Sequence, residues 1–205
     1  MADSRELSGI VLSREPAGDR FLRVRIFDHL TGLSAALFPH AGKRSQNANP
    51  PDLFDRVDCV LKPTSSDSSI PFVAEFHRVH SCRELASNPQ AFITASEIAR
   101  FYLFNGAHLI DPFPHFRTLC SSLDSFQRAK VPKVVLFKLY YCFARDEGLP
   151  VRESWLADLP ENFANEIRTV LKSPVDGVII EKSKINEILE SLKMWMNAET
   201  ELRVE

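Results

Sequence analysis

The stretch Phe21-Leu22-Arg23-Val24-Arg25-Ile26-Phe27 decides the fold of the amino-terminal part of this chain. Its apolar residues Leu22, Val24 and Ile26 alternate with two arginines, which is the two-residue period of a strand with one buried and one exposed face. The stretch therefore predicts a β-strand whose outer face is basic.

Four further strands are predicted around this one, because other short apolar runs are also separated by turn residues. These runs are residues 9–12, 33–38, 57–61 and 70–80. The turns between them contain Gly18-Asp19, Thr31-Gly32 and Pro50-Pro51. Five short strands with turns between them suit a small closed barrel.

Helices are predicted in the remainder of the chain. Thr94 and Glu97 fit a capping box that would start a first helix. Proline at the first helical position predicts two more starts, at Pro112 and Pro132. A fourth helix is expected after Leu159-Pro160, and Ser183 is expected to cap the last one.

The order of these elements predicts an α+β protein with two modules. Strands come first and helices afterwards, which argues against alternating βαβ units. We place a five-stranded barrel in residues 1–84 and an all-helical domain in residues 85–205. The helix over residues 133–147 is apolar nearly all round, which is typical of a helix at the centre of its domain.

The composition limits the classes of function. The 205 residues carry a formal charge of −2, and the pI is about 6.3. A strong, indiscriminate polyanion binder is usually clearly basic, so any nucleic-acid site must be a local patch. The four cysteines form no C-x-x-C pair, no apolar leader opens the chain, and no run approaches the ~20 apolar residues of a membrane span. We therefore expect a reduced cytoplasmic protein that does not enter a membrane.

No enzymatic signature is present in the sequence. There is no phosphate-binding loop, no dinucleotide-binding glycine pattern, no nucleophile elbow and no H-E-x-x-H. On a strand, His77 and His80 point to opposite faces, so these two residues and Cys82 are not expected to share a metal. We expect a non-enzymatic protein without a metal or cofactor.

Basic residues are the strongest candidates for function. Each lies on a strand, in a loop or near a helix N-terminus, where a phosphate could be bound. The candidate DNA-contact residues are Arg23, Arg25, Lys43, Arg44, Lys62, Arg78, Lys130 and Lys133. The alternative is a solvated surface, because residues 1–85 hold equal numbers of basic and acidic side chains.

Aromatic residues supply the second part of a single-strand site, because bases stack on exposed rings. Phe21, Phe27 and Phe38 flank strand ends and could be such platforms. Core packing is the favoured interpretation for each of them.

Several segments resemble the RecO family of recombination mediators. They are residues 8–16 with Gly18-Asp19 and Thr31-Gly32-Leu33, the passage from Gly32 to the basic loop Gly42-Lys43-Arg44-Ser45, residues 72–85, the helix 133–143 with its end at 145–150, and the closing helix 188–202. The resemblance covers nearly the whole chain. One difference is that many members carry four zinc-binding cysteines after the central helix, whereas residues 151–165 contain none.

The resemblance implies a function as well as a fold. It implies that the barrel is an OB-fold that binds single- and double-stranded DNA and anneals strands in bacterial recombinational repair. It also implies that the protein loads a recombinase onto coated single strands together with a RecR-like partner. Contact with the acidic C-terminal tail of single-strand-binding protein and a nucleoid-associated location are implied as well. The alternative is a protein-interaction adaptor of the same fold with little or no DNA affinity, which the neutral barrel favours.

Overall fold

The computed structural model describes residues 4–39, 50–62 and 70–205. It confirms the α+β class, with a five-stranded amino-terminal sheet followed by helices. The chain divides into two compact units. The first unit comprises the described residues up to Arg83 together with Tyr102–Phe116, and the second comprises Glu84–Phe101 and Arg117–Glu205.

The five predicted strands are all present. They are β1 (Arg5–Ala17), β2 (Phe21–Asp28), β3 (Gly32–Pro39), β4 (Arg56–Lys62) and β5 (Phe72–His80). Their order in the sheet is β1-β2-β3-β5-β4, and β4 pairs back with β1. All neighbours are antiparallel except β3 and β5, which are parallel.

The inner face of this sheet is an apolar core that follows the two-residue alternation. Val24 and Ile26 are buried as predicted, and Leu22 is partly buried against the same cluster. The other buried members are Leu7, Val11, Ala36, Phe38, Val57, Cys59, Leu61 and Val73. Residues that alternate with these along each strand therefore face outward.

Part of the outer face is covered by the helical segment of the first unit. The rings of Phe27 and Tyr102 meet edge to face with centroids 4.8 Å apart. The backbone N–H of Leu33 donates to the carbonyl of Gly106 at 3.0 Å. Gly32 has φ +70° and lies close to the backbone of Gly106. A Cβ added at position 32 would come within 2.6 Å of the Gly106 oxygen. Glycine is therefore required at position 32 for both conformation and space.

Six α-helices follow the sheet. They are α1 (Pro89–Asn105), α2 (Pro112–Ser125), α3 (Pro132–Asp146), α4 (Trp155–Asp158), α5 (Glu161–Lys172) and α6 (Lys182–Glu199). The helix starts predicted at Pro112 and Pro132 are confirmed. In the part of the chain that the structure describes, no helix is long and apolar enough to cross a membrane.

The predicted cap at Thr94 is wrong. Asn88 accepts the backbone N–H of Ala91 at 3.1 Å, and the helix starts at Pro89. The Thr94 hydroxyl donates instead to the carbonyl of Gln90, as a mid-helix threonine does. The cap predicted at Ser183 is also wrong, because α6 begins one residue earlier, at Lys182.

The second unit is built around α3, as the apolar pattern predicts. Ten of the fifteen residues of α3 are buried, and Phe101 packs on Tyr140 and Phe143 with ring centroids 4.7 Å away. Two tryptophans tie the closing helix to this core. The indole N–H of Trp155 donates to Ser191, and that of Trp195 donates to Ser154, both at 3.0 Å.

Candidate nucleic-acid interface

One row of side chains crosses the outer surface of the sheet from β1 to β4. Arg23 on β2 lies opposite Glu15 on β1 and Leu37 on β3. Leu37 in turn lies opposite Phe72 on β5, and Phe72 opposite Lys62 on β4. Directly paired residues share a face of the sheet with Cβ atoms about 5 Å apart. The register alone thus places an arginine, an aromatic ring and a lysine in line.

Two aromatic rings lie at the centre of this surface. Phe21 and Phe72 have ring centroids 5.1 Å apart at an interplanar angle of 47°, and both side chains are half-buried. Phe21 follows the β1–β2 turn directly, and Phe72 opens β5. Rings that remain partly open to solvent can stack on nucleic-acid bases, which fully buried rings cannot do. We call the surface formed by Phe21, Arg23, Arg25, Leu37, Lys62 and Phe72, together with Arg20 in the adjoining turn, the β2–β3 face.

Cationic side chains surround the rings. Arg23 and Lys62 are exposed, Arg25 is half-buried between Ser13 and Ala35, and Arg20 is exposed in the β1–β2 turn. None of these four cations forms an ion pair within 4.0 Å with any residue that the structure describes. No carboxylate in the described ranges therefore neutralises these four cations by direct contact.

Two carboxylates weaken this positive charge. Glu15 lies opposite Arg23 in the β1–β2 ladder, and Asp19 precedes Arg20 in the turn. Opposite charges at paired strand positions attract, so Glu15 lowers the potential at Arg23 without an ion pair within 4.0 Å. The face is consequently moderately basic rather than strongly so.

The turn between β2 and β3 is held by a buried carboxylate. Asp28 accepts hydrogen bonds from the backbone N–H groups of Ser8, Leu30 and Thr31 and from the Thr31 hydroxyl, at 2.8–2.9 Å. Burial by itself raises the pKa of Asp28, but these hydrogen bonds outweigh burial and leave the pKa below its usual value. Asp28 thereby supports the β2–β3 register that aligns Arg23 with Leu37.

Arg78, a further predicted DNA-contact residue, is bonded within the protein. The Arg78 guanidinium donates to the buried Asp55 carboxylate at 2.6 Å and to the carbonyl of Pro50 at 3.0 Å. These bonds give Arg78 a structural role in holding the segment before β4. Lys43 and Arg44 lie outside the described residues.

Lys130 and Lys133 belong to the second unit. Lys130 is exposed in the α2–α3 connection, and Lys133 is exposed in the first turn of α3. Lys130 directly precedes the N-cap residue of α3, and Lys133 is its second residue, so both lie at this helix N-terminus.

The histidines of β5 and the cysteine in the sheet core differ in their surroundings. His77 and His80 are exposed on β5, and no group of three His, Cys, Asp or Glu side chains in the described ranges could hold a metal ion. Cys59 is a member of the sheet core, where burial raises the pKa of its thiol to about 12. A thiol with so high a pKa is not a nucleophile at neutral pH.

The sequence names Phe21 as a possible stacking platform, with core packing as the favoured interpretation, and it does not single out Phe72, Leu37 or Arg20. Phe27 and Phe38 are core residues, with exposed fractions of 0% and 2%. Alternation along β5 could have indicated that Phe72 points outward, because its neighbour Val73 is buried. The contact with Phe21, however, depends on the parallel pairing of β3 with β5, which no local pattern encodes.

No protein-family model matches this chain, and no curated protein is significantly similar to it.

Proposed function

We propose that this chain binds single-stranded DNA on the β2–β3 face without performing catalysis. The observation that carries the proposal is the contact between the half-buried rings of Phe21 and Phe72, together with the register that places Phe72 in one row with the exposed cations Arg23 and Lys62. Rings stack on successive bases while the cations contact phosphates, and this combination tolerates any base sequence.

We further propose that the sheet is an OB-fold barrel. The order β1-β2-β3-β5-β4, in which β3 and β5 are parallel and β4 returns to β1, supports this assignment. OB-folds bind oligonucleotides on strands 2 and 3 and on the loops between strands 1 and 2 and between strands 4 and 5. Phe21 is the first residue of β2, and Phe72 is the first residue of β5, so each ring directly follows one of those two connections.

A RecO-like role in recombinational repair is the more specific form of the proposal. Cationic side chains on the barrel would neutralise backbone charge on two strands and so lower the repulsion that opposes annealing. Loading of a recombinase would then require a RecR-like partner and single-strand-binding protein. An amino-terminal sheet followed by a helical part is in keeping with this role, and its support beyond that is the resemblance of sequence segments.

An OB-fold adaptor with little DNA affinity is the second candidate. The placement of Glu15 opposite Arg23 and of Asp19 beside Arg20 favours it, because both carboxylates repel phosphate. The structural role of Arg78 removes one more cation from the possible site.

Binding of a fluorescently labelled oligothymidylate at two salt concentrations separates these functions. If the four cations Arg20, Arg23, Arg25 and Lys62 each neutralise a phosphate, affinity should fall about 50-fold between about 50 mM and about 200 mM salt. Fluorescence anisotropy measures this directly. Absence of binding at about 50 mM salt would reject the DNA-binding function and leave the adaptor.

A further inference from the structure

A cleft in the second unit lies among α3, α4 and α5, and the DNA-binding proposal does not use it. Its volume is about 520 Å³, which is within the ~300–1,000 Å³ typical of small-molecule sites. We call it the cationic cleft. It is lined by Lys138, Tyr141, Cys142, Arg145, Arg152, Leu156, Arg168, Leu171 and Lys172.

The lining has a marked charge imbalance. Five of the nine lining residues are cationic, three arginines and two lysines, and none of the nine carries a carboxylate. Arg145 is paired with the nearby Asp146 at 2.7 Å. Arg152 donates to the Tyr141 hydroxyl and Arg168 to the side-chain oxygen of Asn165, and both acceptors are neutral, so no described carboxylate offsets these two charges. A concave surface focuses such a field and raises the local concentration of anions.

Lys138 is held in place within this cleft. Its ammonium donates to the carbonyl of Leu171 at 3.4 Å and to that of Ser173, at the carboxyl-terminal end of α5. Burial lowers the pKa of Lys138, because the charged amine has lost part of its water. An anion in the cleft would stabilise the ammonium that burial disfavours.

The wall of the cleft is partly apolar. Tyr141 and Leu156 are buried, and Leu171 is half-buried. Tyr141 is fixed from two sides, because its hydroxyl accepts from Arg152 at 3.1 Å and its ring lies 6.4 Å from that of Trp155. The cleft therefore offers an apolar wall beside a group of cations, which suits a ligand with an anionic and an uncharged part.

We propose that the cationic cleft binds a small molecule of the nucleoside di- or triphosphate class. The guanidinium groups present planar donor pairs that match phosphate oxygens, and the four cations that are not paired with a carboxylate suit a chain of phosphates better than a single carboxylate. Tyr141 and Leu156 offer the nucleoside an apolar surface. The site lies within the second unit, so the proposal does not depend on DNA binding by the β2–β3 face.

Calorimetric titration of the full chain with ATP, tripolyphosphate and adenosine tests this ligand class. We expect ATP to bind, tripolyphosphate to bind more weakly and adenosine not to bind. Equal affinity for ATP and tripolyphosphate would reject the nucleoside part of the proposal. Absence of ATP binding would reject the whole of it.

Substitutions locate the site. Arg168→Gln with Lys172→Gln changes two exposed side chains on α5 and should lower ATP affinity by about tenfold or more. Arg100→Gln with Lys184→Gln removes the same charge from outside the cleft and should leave ATP affinity unchanged. An equal decrease in ATP affinity in both double variants would contradict the assignment of the ligand to the cationic cleft. Displacement of ATP by a single-stranded oligonucleotide would also overturn it, because the cleft would then belong to a polynucleotide site.

Discussion

The rings of Phe21 and Phe72 lie in contact across β3, with centroids 5.1 Å apart, although they open different strands of the sheet. Phe21 pairs with Pro39, and Phe72 pairs with Leu37 two residues earlier on the same strand. β3 therefore brings the starts of β2 and β5 together. This contact creates the aromatic centre of the proposed interface.

Removal of one ring should weaken DNA binding. Phe72→Ala deletes a stacking surface worth about 1–3 kcal/mol, so affinity for an oligothymidylate should fall between about 5-fold and about 150-fold. Fluorescence anisotropy titration at low salt gives the ratio of the two dissociation constants, that of the variant and that of the unmodified protein. Phe113→Ala removes another exposed phenylalanine of the first unit, 49% accessible on α2, and should bind like the unmodified protein. Unchanged affinity for the Phe72 variant would exclude the rings from the site.

Arg78 should contribute to stability rather than to binding. Arg78→Met leaves the Asp55 carboxylate, 1% exposed, without its cation, and such a loss typically costs about 3–5 kcal/mol. Urea unfolding measures the change. Arg14→Met is the matched control, because Arg14 and its partner Asp52 are 40% and 48% exposed and the loss should stay below about 1 kcal/mol. An equal decrease in the free energy of unfolding for the two variants would mean that burial does not strengthen the ion pair of Arg78 with Asp55.

The two turn glycines should respond differently to alanine. Gly18 and Gly32 both have φ +70°, which costs an alanine about 1–2 kcal/mol. Only at position 32 would the new Cβ also meet a backbone oxygen, that of Gly106 at 2.6 Å. Gly32→Ala should therefore lower the free energy of unfolding by more than Gly18→Ala. The same decrease for both in urea unfolding would argue against the close approach to Gly106.

Asp28 should make stability depend on pH in the acid range. Its folded-state pKa lies below the usual 3.8, so the ionised form stabilises the protein above that pH. This contribution is lost as pH falls through the lowered folded-state pKa. Asp28→Asn should thus lower the free energy of unfolding at neutral pH by about 1.5–3 kcal/mol, and the difference should shrink in acid.

Urea unfolding at several pH values tests this behaviour. The exposed Asp58 on β4 provides a control, since Asp58→Asn should change the free energy of unfolding by less than about 0.5 kcal/mol. A difference for Asp28→Asn that persists unchanged down to the lowest pH would show that the charge of Asp28 is not what stabilises the turn.

Local patterns in the sequence predict strands and helix starts, because period and proline act within a few residues. The alternation in β2 and the prolines at positions 112 and 132 are examples. The cap predicted at Thr94 is wrong because Thr94 and Glu97 satisfy the capping pattern inside a helix that Asn88 already caps. The Arg78–Asp55 pair and the Phe21–Phe72 contact join residues far apart in sequence, so the sheet pairing determines them and a local pattern does not.

The salt dependence of single-strand binding tests the role of the β2–β3 face most directly. Four neutralising cations predict a slope of log affinity against log salt of about −2.8, and Arg23→Gln with Arg25→Gln should bring it to about −1.4. The charge-matched control, Arg100→Gln with Lys184→Gln, alters residues that are already paired with carboxylates and should keep the original slope. A slope that is the same in the Arg23 and Arg25 variant as in the unmodified protein would contradict DNA binding at this face.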